Sequence, residues 1–176
     1  MATLIKNRRV VRDSWLLLEG GAQRWLSPRE DGLLADFPEQ SDIVVPLAIW
    51  THRRGELIER HGRVGVSMDG HESPDAIVAD LHRLALIAVN FALFTDGRGY
   101  TLAHILRTRH GYGGELRAVG DVFRDQLFYL SRVGFDAFAL RDGEDAEGAL
   151  AALETFTEAY QAAFKQPQPL FRRRAA

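Results

Sequence analysis

The feature that most constrains the fold is a regular alternation of strand-like and helix-like segments after position 61. Short, mainly apolar runs predict strands at residues 64–69, 86–91, 115–119 and 135–140. Each run is followed by apolar residues at helical spacing. Strands separated by helices form parallel sheets with right-handed crossovers. We therefore predict an α/β fold with four consecutive βα units and a parallel sheet.

The two faces of the predicted strands differ in character. One face carries large apolar side chains that suit packing beneath helices: Val64, Val66, Met68, Ile87, Val89, Phe91, Leu116, Phe138 and Leu140. The other face is small and partly polar: Gly65, Ser67, Ala88, Asn90, Arg117, Ala137 and Ala139. A sheet covered by helices on both faces has branched apolar residues on both. A curled sheet with a narrow interior, like half of a TIM-type βα barrel, explains the difference.

Residues 1–60 have weaker patterns and are predicted to form a β-rich N-terminal part. We expect short strands at residues 3–5 and 15–18. Pro46 predicts an edge strand or an extended segment at residues 43–49, because proline has no N–H to donate. Helices are predicted at residues 31–36 and 50–60.

The chain length and the change of pattern together predict the domain organisation. The 176 residues suit one domain, which we place at residues 1–165. The N-terminal part (1–60) is followed by the βα repeat core (61–165), whose last helix is predicted at residues 146–160. Two prolines and three consecutive arginines predict a flexible tail at residues 166–176.

Composition excludes several classes of function. The formal net charge of -2 gives no reason to expect nucleic acid or an anionic membrane as a partner. No apolar run is long enough to span a membrane and no cleavable leader is visible, so we expect a cytoplasmic protein. The absence of cysteine excludes disulfides and thiolate-held zinc or iron–sulfur clusters.

No motif supports a cofactor or a metal. The six histidines show no ligand spacing on one helix face, so we predict no metal site. Gly97-Arg98-Gly99 lacks the third glycine of a dinucleotide fingerprint, because Leu102 stands in its place. The identity of any cofactor therefore stays unknown, and so does any catalytic residue.

A glycine-containing turn after the second predicted strand carries candidate binding residues. The side chain of Thr95 or Asp96 suits an acceptor for free N–H groups of the turn or of the next helix. Chemistry in α/β proteins concentrates at the carboxyl ends of parallel strands, where Arg98 also lies. The alternative is a well-capped turn whose Asp and Arg satisfy the backbone or each other. The candidate anion-binding residues are Thr95, Asp96, Arg98, Arg117, Asp121 and Arg124.

Arg117 is notable because it lies in the middle of a predicted strand. A buried guanidinium needs an acceptor. The acceptor is either a bound anion or a carboxylate, such as Glu115 or an aspartate near a strand end. Asp121 is most simply the N-cap of the helix that follows.

A long stretch carries motifs that resemble a known family. The motifs are Phe94-Thr95-Asp96-Gly97-Arg98-Gly99-Tyr100, Leu106-Arg107, Gly111-Tyr112, Gly114-Glu115-Leu116-Arg117-Ala118-Val119-Gly120-Asp121-Val122, Arg124-Asp125-Gln126 and Gly134-Phe135-Asp136-Ala137-Phe138. With them, roughly the last two thirds of the chain resembles the bacterial DUF934 family, a domain of unknown function. The family is labelled an oxidoreductase involved in sulfite reduction because its genes neighbour those of the sulfite reductase haemoprotein.

The resemblance implies two alternative functions. The first is an accessory protein of assimilatory sulfite reduction that binds a reductase partner, such as the haemoprotein, or a small anionic ligand. The second is a small oxidoreductase or other enzyme with an anion-binding site at the strand carboxyl ends. We favour the first, because the chain supplies no redox group and no nucleophile–base pair. The uncovered small-residue face further predicts a homodimer in which Arg117 is largely buried.

Overall fold

The computed structural model describes residues 3–18 and 21–173. Within these ranges one sheet contains β1 (Leu4–Lys6), β2 (Arg9–Val11), β3 (Leu16–Leu17), β4 (Ile43–Pro46), β5 (Val64–Asp69), β6 (Leu86–Phe91), β7 (Glu115–Gly120) and β8 (Ala137–Ala139). The helices are α1 (Gly21–Leu26), α2 (Leu47–Glu59), α3 (Asp75–Val78), α4 (Arg98–Thr108), α5 (Leu127–Val133), α6 (Ala146–Ala152) and α7 (Leu170–Arg173). A 3₁₀ turn, Arg124–Gln126, leads into α5.

The sheet is mixed rather than purely parallel. Its strand order is β2-β1-β8-β7-β6-β5-β4-β3. Strands β3 to β8 run parallel, whereas β1 pairs antiparallel with both β8 and β2. The N-terminal part of the chain therefore extends the sheet at both edges.

The two faces of the sheet have the predicted contrast. The large side chains of β4 to β8 pack with apolar residues of α2 to α6 in one buried cluster, which includes Trp50, Ile77, Leu106 and Leu127. The opposite face carries a smaller cluster of Val44, Leu86 and Ala88, to which no residue of a described helix contributes. Helices therefore cover one face of the sheet and leave the other without a helical layer.

The uncovered face is curled, and we call it the concave face. A single cavity there contacts Leu17 of β3 and Ala139 of β8, which lie at the two ends of the parallel strands. Five strand spacings separate these strands, which is about 24 Å in a flat sheet. A shared cavity therefore requires the sheet to curve, as in an open half barrel.

Two predictions for the N-terminal part need correction. The helix predicted at residues 31–36 is wrong, because Gly32 has a φ of +76° and the Asp31 side chain accepts a backbone N–H two residues on (3.0 Å). Arg53 Nη1 then donates to Ala35 O (2.7 Å), which holds this segment in a non-helical path. Residues 43–49 are predicted to form an edge strand or an extended segment. The edge position is wrong, because β4 pairs with both β3 and β5, and the extended conformation ends at Pro46, where α2 follows.

The end of the chain also differs from the sequence pattern. Helix α6 stops at Ala152, where the Thr155 hydroxyl donates to the Ala152 carbonyl (2.8 Å). Phe156 leaves the helical path and packs against Phe128 at a centroid distance of 5.0 Å. Helix α7 lies inside the stretch predicted as a tail, and residues 174–176 of that stretch lie outside the described residues.

Gly120 ends β7 in a conformation that only glycine adopts easily. Its φ is +92°, and an added Cβ would lie 2.5 Å from the Phe91 carbonyl oxygen. We expect Gly120→Ala to lower the free energy of unfolding by about 2 kcal/mol, through backbone strain and this close contact. Urea denaturation measures the change. Gly97→Ala is the matched control, because nothing lies within 4 Å of its added Cβ; an equal loss in both variants would contradict the explanation.

Candidate binding cavity on the concave face

Five of the six predicted site residues share one edge of the sheet. Thr95, Asp96 and Arg98 lie between β6 and the first residue of α4, and Asp121 and Arg124 follow β7. Because β6 and β7 are parallel neighbours, these residues all lie beyond strand carboxyl ends. The sixth residue, Arg117, lies in the middle of β7, away from this edge.

Asp96 and Arg98 bind each other at this edge. Arg98 donates from Nη2 to Asp96 Oδ2 (2.6 Å), from Nε to Oδ1 (2.9 Å) and from its backbone N to Oδ1 (3.1 Å). These bonds confirm the prediction that Asp96 accepts a backbone N–H of the turn. They also hold the pKa of Asp96 down at about 2, chiefly through the hydrogen bonds from the Arg98 side chain.

The lowered pKa of Asp96 can be tested by titration of its carboxyl group. Its pKa is below the ordinary carboxyl value of about 4, so the pair contributes above that pH and is lost as the pH falls toward 2. An NMR titration of the Asp96 side-chain carboxyl should show a midpoint near 2 in the unmodified chain. Arg98→Gln should move the midpoint toward 4. The same midpoint in both proteins would show that Arg98 does not cause the shift.

Asp121 bridges two loops instead of capping a helix. Its Oδ2 accepts from Phe94 N (3.2 Å) and its Oδ1 from Arg141 Nη1 (3.4 Å). The predicted N-cap role is therefore wrong, because Gly120 turns the chain away and the next helical turn starts after Phe123. Asp121 instead ties the loop after β6 to the segment after β8.

Arg124 lies apart from these bonds. It is exposed beside Gly148 in α6, on the first turn of the helical region after β7.

A second polar pair lies on the concave side of the same strand edge, where Asn90 Nδ2 donates to Asp69 Oδ1 (2.8 Å). The carboxyl edge of β5 to β8 therefore contains a row of polar contacts.

Arg117 belongs to a buried cluster of alternating charges. Its Nε donates to Glu115 Oε1 (2.7 Å) and its Nη1 donates to Asp13 Oδ2 (2.7 Å). The Lys6 ammonium lies 2.6 Å from the other oxygen of Glu115. The side chains of Arg117 and Glu115 are 5% and 6% exposed, whereas those of Lys6 and Asp13 are 39% and 38% exposed. The four charges therefore form a neutral group with a buried ion pair at its centre. The structural alternative, an ion pair with Glu115, is confirmed.

The segment that carries Asp13 is held over the concave face by a few contacts. Trp15 N donates to Asp13 Oδ1 (3.1 Å), and Leu16 N donates to the Asp42 carbonyl (2.9 Å). The guanidinium of Arg63 lies over the Trp15 ring at 5.0 Å. This segment forms no helix and no strand before β3. It brings a carboxylate and an indole ring to the mouth of the concave face.

These elements enclose a cavity of about 490 Å³. Side chains of all six parallel strands line it: Leu17, Val44, Ser67, Ala88, Arg117, Val119 and Ala139. Trp15 and Asp13 contribute from one side, and Arg141 and Asp142 from the loop after β8. Its volume lies within the usual range for small-molecule sites. We call it the concave cavity.

Several residues of this cavity are not among the predicted site residues. Asp13 comes from the N-terminal segment, and nothing near it in sequence indicates contact with β7. Arg141 follows a predicted strand, so its position at the carboxyl edge carried a usable signal. Asp69 does not line the cavity but contacts Asn90 at the same edge, and it likewise ends a predicted strand. The position of these two residues in the pattern was sufficient to nominate them.

A second buried arginine joins several of the motif residues. Arg107 of α4 donates to three carbonyls, those of Gly134 (2.9 Å), Tyr112 (2.6 Å) and Gly114 (2.8 Å). It also donates to Asp136 Oδ2 (2.8 Å). The other oxygen of Asp136 accepts from the backbone of β7. This cluster connects α4, the start of β7 and the turn before β8, and it is structural.

Two further properties concern metals and membranes. Among residues 3–18 and 21–173, no three His, Asp or Glu side chains are grouped so as to hold a metal ion. None of the helices in these ranges is both long and apolar enough to cross a bilayer.

Comparison with known proteins identifies the family. Residues 65–171 match the family described as "Bacterial protein of unknown function (DUF934)". The match covers more than half of the 176 residues, so the chain belongs to this family. No curated protein matches the chain.

Proposed function

We propose that this member of the DUF934 family is an accessory protein of assimilatory sulfite reduction, which binds a partner on its concave face and carries out no turnover itself. The partner we expect is the sulfite reductase haemoprotein. The choice of pathway rests on the resemblance described above, and the choice of a binding role rests on the geometry of the concave cavity.

The observation that carries the proposal is that both arginines lining the concave cavity are paired with carboxylates. Arg117 bonds to Glu115 and Asp13, and Arg141 bonds to Asp121. Each of these groups is already engaged with another side chain. General acid–base catalysis instead requires a group that can reach the proton of a bound substrate. The cavity is therefore better suited to binding than to chemistry.

The rim of the cavity supports a protein partner. Leu17 of the edge strand β3 lines the cavity and is 56% exposed, and Trp15 is half-buried in the same lining. Apolar side chains that cluster on an uncovered sheet face are typical of interaction sites. A small inorganic anion is the less favoured occupant, because it cannot cover the apolar side chains that line the cavity.

The homodimer predicted from the sequence is part of the same proposal. In the absence of the reductase, we expect a second copy to cover the apolar concave face through a two-fold contact. Sedimentation equilibrium at micromolar concentration should then give twice the mass of one chain. A strictly monomeric species would remove the dimer from the proposal and would leave the reductase contact to be tested separately.

The reductase contact is tested by mixing the two purified proteins. Sedimentation velocity of the chain with the sulfite reductase haemoprotein should show a faster species that contains both. Absorbance of the haem at its own wavelength identifies the reductase in the boundary. Independent sedimentation of the two proteins at micromolar concentrations would contradict the proposed function.

A second candidate function is favoured by the polar row at the carboxyl edge. We propose for this alternative that the four consecutive βα units of the core form half of a TIM-type barrel, whose active sites lie at that edge. The Asn90–Asp69 and Arg141–Asp121 contacts occupy this position. The protein would then be a small oxidoreductase or another enzyme that binds a sulfur oxyanion there.

A thermal-shift experiment separates the two candidates. Sulfite and sulfate should not raise the melting temperature if the protein is an accessory that binds only the reductase. A stabilisation by sulfite that disappears in Arg141→Gln would favour the enzyme. Arg109→Gln is the matched control, because Arg109 is exposed at the end of α4, away from this edge.

A further inference from the structure

We propose that the concave cavity binds a small molecule with an apolar body and one carboxylate, and that this carboxylate replaces Asp13 on Arg117. This inference rests on the proposed function only in taking the concave cavity as the binding site. It goes further by naming the class of ligand and the contact that must open to admit it.

The apolar lining of the cavity indicates that the ligand has an apolar body. Val44, Ala88, Val119 and Ala139 form its floor, and Trp15 lies at its side. The valine and alanine side chains of the floor offer no hydrogen bonds, so a purely polar ligand there would lose its hydration without replacement. A ligand with an aliphatic or aromatic body gains from covering the same surface.

Arg117 sets the polar part of the ligand. A guanidinium has five N–H donors, and the contacts to Glu115 and Asp13 use three of them. Arg117 also lines the concave cavity, so it is the buried cation that a ligand there meets. The planar guanidinium favours a carboxylate, which accepts two parallel hydrogen bonds.

Asp13 is the replaceable partner of Arg117, and Glu115 is the permanent one. Glu115 is 6% exposed and is bonded to both Arg117 and Lys6. Asp13 is 38% exposed and lies in a segment with no helix or strand. Moving Asp13 into solvent therefore disturbs little of the fold, whereas moving Glu115 would strand a buried charge.

Charge balance indicates that a ligand carboxylate replaces Asp13 on Arg117 and does not bind beside it. Lys6, Arg117, Glu115 and Asp13 together are neutral. A ligand carboxylate added beside both acids would leave one uncompensated negative charge in a mostly buried place. Replacement of Asp13 keeps the cluster neutral. The chain thus supplies its own carboxylate to Arg117 when no ligand is bound.

The test uses two probes of the same shape and different charge. 3-Phenylpropanoate carries the carboxylate, and 3-phenylpropanamide is its neutral counterpart. Titration calorimetry measures both against the unmodified chain, Asp13→Asn and Asp142→Asn. Asp13→Asn keeps an oxygen for the Trp15 N–H and removes the competing charge. Asp142→Asn removes a charge from the opposite end of the same cavity and serves as the matched control.

We expect Asp13→Asn to bind 3-phenylpropanoate at least about tenfold more tightly than the unmodified chain, because no tethered carboxylate then competes for Arg117. The affinity for 3-phenylpropanamide should not change. Equal affinity of the two proteins for the carboxylate would overturn the inference. An equal gain in Asp142→Asn would overturn it too, because long-range charge would then explain the effect.

A measurement on the unmodified chain tests the same exchange without depending on the folding of a variant. Saturating 3-phenylpropanoate should shift the NMR signal of the Asp13 carboxyl and leave that of Glu115 unchanged. An Asp13 signal that stays fixed while the probe binds contradicts the exchange. The unmodified chain is then mixed with the haemoprotein in a separate sample without the probe. Intact reductase binding without any carboxylate effect rejects the ligand class alone, whereas loss of reductase binding by the unmodified chain rejects the proposed function.

Discussion

Replacing Arg117 by methionine is expected to destabilise the fold by about 3–5 kcal/mol. The methionine side chain has a similar volume, so the loss does not come from a cavity. It comes from Glu115, whose buried carboxylate keeps only Lys6 as a partner. Removing one member of a buried ion pair leaves an uncompensated charge, which is far more harmful than removing both. Urea denaturation, followed by circular dichroism, measures the difference.

The double variant Arg117→Met with Glu115→Met supplies the control. It should recover most of the lost free energy of unfolding, because neither buried charge remains. Arg141→Met tests the loss of a largely exposed arginine and should change stability by less than about 1 kcal/mol. If Arg117→Met is as stable as the unmodified chain, the buried ion pair does not stabilise the fold.

Replacing Arg107 by methionine is expected to be at least as damaging, at about 4 kcal/mol or complete loss of folding. The guanidinium satisfies three backbone carbonyls and the Asp136 carboxylate. Each of these acceptors would lose a donor in a place with little access to water. The carbonyls belong to two connections, the loop between α4 and β7 and the turn before β8, so the contacts between α4, β7 and β8 would loosen together.

Two variants separate the hydrogen-bond network from a general effect of charge. Arg107→Lys keeps the charge and lacks the planar fork, so it should recover only part of the stability. Arg109→Met removes an exposed arginine two residues later and should change the free energy of unfolding by less than about 0.5 kcal/mol. A full recovery by lysine would show that charge alone, and not the shape of the guanidinium, is required.

The contrast between the faces of the strands is predictable from the sequence. Side chains alternate at every residue of a strand, so the pattern alone places Val66, Ile87 and Leu116 on one face. All three are fully buried beneath helices. The small residues on the other face indicate the curl, because a narrow interior has no room for branched side chains.

The partners of the N-terminal strands are not predictable in this way. Local patterns show which residues form a strand but not which edge of the sheet it joins. The antiparallel β1 pairs with β8, more than a hundred residues later, and β3 and β4 extend the opposite edge. For the same reason the contact between Asp13 and Arg117, 104 residues apart, has no signal in the sequence.

In the candidate site, contacts between residues close in sequence are predictable, whereas contacts between distant residues are not. Asp96 and Arg98 are two residues apart, so their contact follows from turn chemistry and is predictable. Asp121 fails as a predicted cap because Gly120 adopts a positive φ, which redirects the chain before the helix begins. The concave cavity is a product of long-range pairing, and its charged residues acquire their partners only when the sheet is assembled.

The most direct test of the proposed accessory role is the affinity of the sulfite reductase haemoprotein for two leucine variants. Leu17→Asp places a charge at the rim of the concave cavity, and Leu33→Asp places the same charge at an exposed leucine that does not line it. Both leucines are more than half exposed, so both variants should fold normally.

Calorimetric titration of the haemoprotein into each protein gives the result. We expect Leu17→Asp to weaken binding about 100-fold, because a charge in the core of an apolar interface must lose its hydration. Leu33→Asp should bind as the unmodified chain does. Equal affinities of all three proteins, or no heat of binding with any of them, would contradict a reductase contact on the concave face.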